Sequence, residues 1–192
     1  MIATPRPSFD ELYRQIEALP EGQRGEILTP GEVFITMGRP GKRHRRASQL
    51  LHIALAGQDA RSGGTGWWIE VEPEVRFGDR LFDPDLAGWR VDRVPDLPET
   101  LIVDRPDWVC EIRSPSTAAT DVRVKLPHYL ASGVPFVWLV DPVGQIVEVF
   151  VERAGLPAVL VTASDEEAMV LPPFDVALDV RRLWVDPKPT ET

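Results

Sequence analysis

Residues 107–141 read DWVCEIRSPSTAATDVRVKLPHYLASGVPFVWLVD, and the fold is decided there. Trp108 to Ile112 is a short apolar run interrupted by one charge, Glu111. Ser114, Pro115, Ser116 and Thr117 make a turn-rich loop. From Asp121 to Ser132, Val122, Leu126, Tyr129 and Leu130 recur at helical spacing, and Gly133 stops that helix. Phe136 to Val140 is apolar and of strand length. The order strand, loop, helix, strand predicts an α/β unit. An acid inside a buried strand is costly unless something pairs with it, so the rest of the chain can be read as supplying partners for Glu111.

Upstream, Ser8 to Leu19 predicts a helix. Ser8 and Glu11 fit a capping box, and Phe9, Leu12, Ile16 and Leu19 share a face. Glu26 to Leu28 and Val33 to Met37 flank Thr29-Pro30-Gly31 as a hairpin. Arg39, Lys42, Arg43, Arg45 and Arg46 surround His44 and open a helix expected over 42–58. Leu50, Leu51, Ile53, Ala54 and Leu55 are its expected buried side. Positive charge at a helix start opposes the dipole, so the basic run reads as a solvated helix start or as a set of phosphate contacts.

Trp67 to Val71, Glu74 to Phe77 and Leu81 to Trp89 read as three strands, with Gly78-Asp79 as a turn. Glu70, Glu72 and Glu74 alternate, which predicts one shared strand face. That face is a solvated edge or, if it looks into a cleft, brings Glu74 as an extra metal ligand. Beyond the central unit, Ile146 to Glu152 and Ala158 to Thr162 read as strands, with another short one near Met169. One domain over 1–186 and a flexible tail over 187–192 are expected.

The 192 residues carry a formal charge of -9, which argues against broad affinity for nucleic acid but leaves room for a local basic rim. No apolar run approaches the roughly 20 residues of a membrane helix, and the N-terminus is not that of a secretory signal. The one cysteine, Cys110, cannot form an internal disulfide and reads as a buried core thiol. A cytoplasmic protein without a membrane partner follows.

The residues with chemistry are Asp85, Glu111 and Lys125. Two carboxylates and a lysine converging on one spot make a divalent-metal site, because Mg2+ takes hard oxygen ligands, few of them from protein. Such an ion polarises a phosphoryl oxygen and positions hydroxide. Asp121 and Tyr129 lie four before and four after Lys125, on the same helix face. A lysine near a metal or in a buried place can have its pKa lowered toward proton transfer, whereas Arg113, two after Glu111, stays charged.

LFDPDLAGWR at 81–90 and PDWVCEIRSPSTAATDVRVKLPHYLASGVPFVWLVDP at 106–142 resemble the PD-(D/E)XK nuclease superfamily. Within it, the resemblance is to the Uma-type restriction endonuclease group. It spans roughly residues 8 to 184, and the 107–142 block is its specific part. The resemblance implies a restriction-endonuclease-like mixed β-sheet flanked by helices, α/β or α+β in class, with an added N-terminal helix and hairpin. It implies Asp85 and Glu111 as metal ligands for Mg2+ (or Mn2+), and Lys125 in the place of the usual lysine, which Arg113 replaces two after the glutamate. Glu26, Arg113, Asp121, Tyr129 and His44 would support them. Lys42, Arg43, Arg45 and Arg46 would touch the phosphates of DNA, the implied partner; a homodimer stays open. The implied activity is metal-dependent endonucleolytic hydrolysis of DNA. Its rivals are a nuclease-fold binding or regulatory module without useful catalysis, and a glycoside hydrolase with Asp85 and Glu111 as acid and base.

Overall fold

The computed structural model describes residues 6–36, 40–60, 66–114, 117–165 and 168–184. Arg39, the loop residues Pro115 and Ser116, and the expected tail at 187–192 lie outside the described residues.

Helix α1 (Phe9–Glu17) starts at the expected capping box: the Glu11 backbone N–H donates to Ser8, and the Glu11 carboxylate accepts from the Ser8 backbone. It packs Phe9, Leu12 and Ile16 onto Ile27 and Leu81. Strands β1 (Arg24–Thr29) and β2 (Glu32–Thr36) form the expected antiparallel hairpin. Helix α2 (Lys42–Leu55) ends three residues earlier than 58, and of its expected core residues Ile53 and Ala54 are exposed. Leu51 and Leu55 are buried as expected, and Ala47 joins them. They recur at i, i+4, i+8, so a narrow apolar stripe faces the sheet, not the broad one expected.

Strand β3 (Trp67–Val71) is followed by β4 (Val75–Phe77), β5 (Arg80–Phe82) and β6 (Leu86–Arg90). The single strand expected over 81–89 is therefore two. Pro84 has no N–H to give a ladder, and the chain leaves one sheet and enters another across Asp83-Pro84-Asp85. The shared face expected for Glu70, Glu72 and Glu74 also fails. Strand β3 stops at Val71, and Glu72 takes a left-handed backbone, φ 52°, which ends the alternation.

The central unit follows its sequence pattern. Strand β7 (Trp108–Ile112) is buried along its whole length. Helical residues then run from α3 (Ala118–Thr120) through a π-helical turn (Asp121–Lys125) into α4 (Leu126–Ala131), with strand β8 (Phe136–Asp141) beyond. Strands β9 (Ile146–Arg153) and β10 (Leu156–Ala163) make a hairpin, and β11 (Met169–Val170) pairs with β12 (Ala177–Leu178) ahead of a 3-10 turn at Val180–Leu183.

Six strands form the main sheet in the order β10-β9-β8-β7-β6-β3, and four form a smaller one, β2-β1-β5-β4. The main sheet is mixed: β7 and β8 are parallel, their neighbours antiparallel. Along β7 successive side chains alternate between faces. Trp108, Cys110 and Ile112 point into a core with α2, Trp138 and Phe174. Val109 points the other way, into a core with Val137, Leu139 and the α4 residues Leu126, Tyr129 and Leu130. Glu111 shares that second face. Cys110 is the expected buried thiol, its pKa pushed up by burial.

Candidate active site

The crossing at residues 83–85 puts two carboxylates where the sheets meet. Leu86 pairs with Cys110 in an antiparallel ladder, so one step back along β6 brings Asp85 level with Glu111. Asp85 is held at both oxygens: Oδ2 accepts the Ile112 backbone N–H at 2.6 Å, and Oδ1 lies 3.0 Å from His44 Nε2. His44 reaches it from the first turn of α2. Burial pulls the imidazole pKa down, but the hydrogen bond and charge of Asp85 outweigh that, and it is raised.

Glu111 is 3% exposed. Burial pushes its pKa well up, with only partial relief from Lys125. The Tyr129 hydroxyl donates to Glu111 Oε1 at 2.6 Å, and Lys125 Nζ lies 3.3 Å from the same atom. Tyr129 is itself fixed, with ring centroids 5.3 Å from both Phe77 and Phe82. Lys125 is also 2.7 Å from Glu26 Oε1, which accepts the Asp83 backbone N–H at 2.9 Å. Burial alone would lower the lysine pKa. The charges of Glu111 and Glu26 more than reverse this, so it is raised and Lys125 stays an ammonium. Burial therefore does not bring about the lowered lysine pKa that the sequence allowed, because two carboxylates flank the amine.

The π-helical turn at 121–125 adds one residue per turn relative to neighbouring helix, a feature often found at functional sites. Asp121 and Lys125 are its buried residues. With Tyr129 they line one side of the helix, as the i, i+4 spacing predicts. Burial raises the Asp121 pKa to about 6 against the pull of Lys125.

The remaining candidates stand further out. Arg113 pairs with Asp141 at 3.5 Å, at the adjacent ends of β7 and β8. Lys42, Arg43, Arg45 and Arg46 are exposed around the start of α2, next to His44. Glu74 accepts the Tyr13 hydroxyl at 2.6 Å and raises the pKa of Asp83. It therefore borders the cluster without lying on the strand face first assigned to it. Sequence reasoning passed over Asp83. Burial first, then the charges of Glu26 and Glu74, lift its pKa to about 8. The signal was available, since Asp83 and Asp85 flank one proline.

Five carboxylates (Glu26, Asp83, Asp85, Glu111 and Asp121) thus surround one lysine and one histidine. Among the described residues, no group of three or more His, Cys, Asp or Glu side chains is arranged to hold a metal ion. A magnesium-type ion needs less: one or two carboxylates, with water and substrate oxygens filling the shell. Asp85 and Glu111 are hard donors of that kind. Both close contacts to Glu111 fall on Oε1, which leaves Oε2 for another ligand.

A profile of the Uma2 family, described as "Putative restriction endonuclease", matches residues 9–181. No curated protein matches the chain. Among solved structures, the chain is similar to a putative nuclease of the DUF820 family from Anabaena variabilis. The TM-score is 0.71 at 22% identity, covering 92% of this chain and 97% of that one. That likeness shows a shared mixed α+β fold with a large sheet and few flanking helices.

Proposed function

Since the chain belongs to the Uma2 family of restriction-endonuclease type, we propose that it is a metal-dependent nuclease hydrolysing DNA phosphodiester bonds at the Asp85, Glu111 and Lys125 cluster. One observation carries the proposal: a buried lysine is clamped between two acids, 2.7 Å from Glu26 and 3.3 Å from Glu111, beside Asp85. Buried ions are expensive, and such a concentration of them is the mark of a functional site.

Asp85 and Glu111 would hold Mg2+ or Mn2+, which supplies a polarised phosphoryl oxygen and an activated water. The chain's own groups prepare that chemistry. The Ile112 N–H and His44 fix Asp85, and Tyr129 fixes Glu111. Lys125, held as an ammonium by the two acids beside it, would stabilise the negative charge that builds on phosphorus-bound oxygen. Arg113 stands at the end of the same strand with a partly exposed guanidinium, suited to clamp a phosphate. The exposed basic residues at the start of α2 give the acidic site a positive rim, consistent with DNA as substrate. No described helix is long and apolar enough to cross a membrane. A homodimer would offer one site to each strand of a duplex, and sedimentation would detect it.

The test is nicking of supercoiled plasmid by purified protein. Cleavage is expected with Mg2+ or Mn2+, none with EDTA, and none from Asp85→Ala or Glu111→Ala. Absence of metal-dependent cleavage by the wild-type protein would overturn the catalytic reading. DNA binding without nicking would instead favour a binding or regulatory module, for which Arg113 in place of the usual lysine speaks.

A further inference from the structure

We propose that a groove on the side of α2 next to Asp85 is a subsite for one nucleotide of the DNA strand, adjoining the phosphate that is cleaved. The proposal rests on the nuclease reading and adds to it where the strand lies. The groove has a volume of about 220 Å³. One wall is a stripe of α2: His44, Ser48 and His52 stand at i, i+4 and i+8, all half-buried, with Arg45 and Gln49 on the neighbouring stripe. The opposite wall is the end of β3, with exposed Val71 and then Glu72.

Three features tie the groove to the acid cluster. His44 belongs to both, since its Nε2 is 3.0 Å from Asp85 Oδ1. The far wall is fastened to the same loop, because the Glu72 N–H donates to the Asp85 carbonyl at 3.1 Å. The stripe from His44 to His52 extends about 12 Å along the helix at 1.5 Å per residue, leading away from the site. A strand whose scissile phosphate sits at Asp85 and Glu111 would therefore run its next residue along this stripe.

The chemistry of the walls selects the occupant. Imidazole, hydroxyl, amide and guanidinium groups can all donate to phosphate or sugar oxygens. The acid on the groove, Glu72, is paired with Arg24. Helix α2 has no acidic residue in its first turn, and Gly41 at its N-cap offers no side-chain acceptor, so its positive end is not offset locally. His44 Nδ1 is buried without a hydrogen-bond partner among the described residues, so the imidazole is held at this end of the groove by its Nε2 contact with Asp85 alone. Val71 gives a small apolar surface for a sugar or base. The volume is below the roughly 300–1,000 Å³ of pockets that enclose a free drug-sized ligand. It suits one residue of a polymer whose remainder lies in solvent.

The test is duplex oligonucleotide binding by fluorescence anisotropy in EDTA, so that no cleavage intrudes. Single methylphosphonates are placed in turn along one strand, and the cleaved position is mapped separately with Mg2+. In wild-type protein, neutralising one phosphate beside the cleaved one is expected to weaken binding about fivefold. A Ser48→Ala/His52→Ala protein, both changes being to a good helix former, is expected to bind about tenfold more weakly and to be indifferent to that same methylphosphonate. Circular dichroism checks its fold, and His52→Gln alone carries the comparison if the double variant unfolds. Wild-type affinity in the variant, or additive losses at every phosphate, overturns the subsite alone. Failure of the wild-type protein to bind DNA in EDTA also overturns the subsite, whereas the DNA-cleaving reading falls only if Mg2+ or Mn2+ gives no cleavage.

Discussion

A carboxylate enclosed like Glu111 costs several kcal/mol if left ionised and unpaired, so its two partners decide what it can do. The Tyr129 phenol is the nearer, at 2.6 Å, and it is locked between Phe77 and Phe82. Tyr129→Phe keeps the ring and removes the donor. Hydrogen bonds to charged groups are worth about 1.5–3 kcal/mol. We expect roughly tenfold weaker Mn2+ binding by calorimetry with secondary structure unchanged; unaltered affinity would remove Tyr129 from the orientation of Glu111. Lys125→Met keeps much of the volume and removes the charge. Breaking a buried pair costs about 3–5 kcal/mol, or roughly 10 °C in Tm for a chain of this size. The loss should be larger at pH 8 than at pH 5, because at low pH Glu111, its pKa already raised, can accept a proton in place of the lost ammonium. Metal-dependent cleavage should fall at least a hundredfold. A variant that cleaves like wild type would end the assignment of Lys125. Arg113→Ala, which loses only a half-exposed pair with Asp141, should raise KM more than it lowers kcat.

At the scale of the elements, helix α2 holds together under a conflict. Four basic residues crowd a helix start where the dipole favours acids, each at a cost of about 0.3–1 kcal/mol. Lys42→Ala/Arg43→Ala/Arg46→Ala should therefore raise Tm slightly while weakening DNA binding and flattening its salt dependence, by up to about 0.9 in slope for each phosphate no longer neutralised. Stability gained with binding intact would show a solvated helix start. The same helix shows what sequence can and cannot tell. Its start at Lys42 was expected at the basic run around His44, but the buried stripe was not legible, since Ile53 and Ala54 are apolar and yet face solvent. The 107–141 block was legible because its periods differ sharply: an apolar run, a polar loop, helical spacing, another apolar run. Grouping Asp121, Lys125 and Tyr129 needed only i, i+4 spacing. The π-helical turn that holds the first two was invisible, because it depends on backbone hydrogen bonds that no side-chain pattern records. The second sheet was missed for a related reason. Leu81 to Trp89 reads as one strand-like segment, and only three-dimensional pairing reveals that Pro84 divides it between two sheets. Likewise the charge state of Lys125 depended on Glu26, a residue of the N-terminal hairpin, and such long-range pairing cannot be read from local spacing.

For the whole molecule, the acid cluster makes stability depend on pH in a direction opposite to that of most salt-bridged carboxylates. Asp83 has a folded pKa of about 8 against an unfolded value of 3.8, and Asp121 about 6 against the same value. Between these limits the folded state binds more protons than the unfolded one, so the derivative of unfolding free energy with pH is negative. The contribution of both groups is fully present below about pH 4. It declines through pH 6 as Asp121 is forced to ionise in the fold, and through pH 8 as Asp83 follows. The overall Tm should accordingly fall between pH 5 and pH 8.5 in EDTA. Asp83→Asn tests the larger part of this. The amide keeps the shape and cannot ionise, and the backbone N–H at 83 still has Glu26 Oε1 to donate to. The variant should melt several degrees above wild type at pH 8.5, where about 2–4 °C corresponds to each kcal/mol, and should match it near pH 4.5. Mg2+ or Mn2+ should reduce the wild-type slope, because an ion bound among these acids stabilises their charged forms. A flat wild-type profile, or an Asp83→Asn protein less stable than wild type at pH 8.5, would show that Asp83 is already stabilised as an anion in the fold.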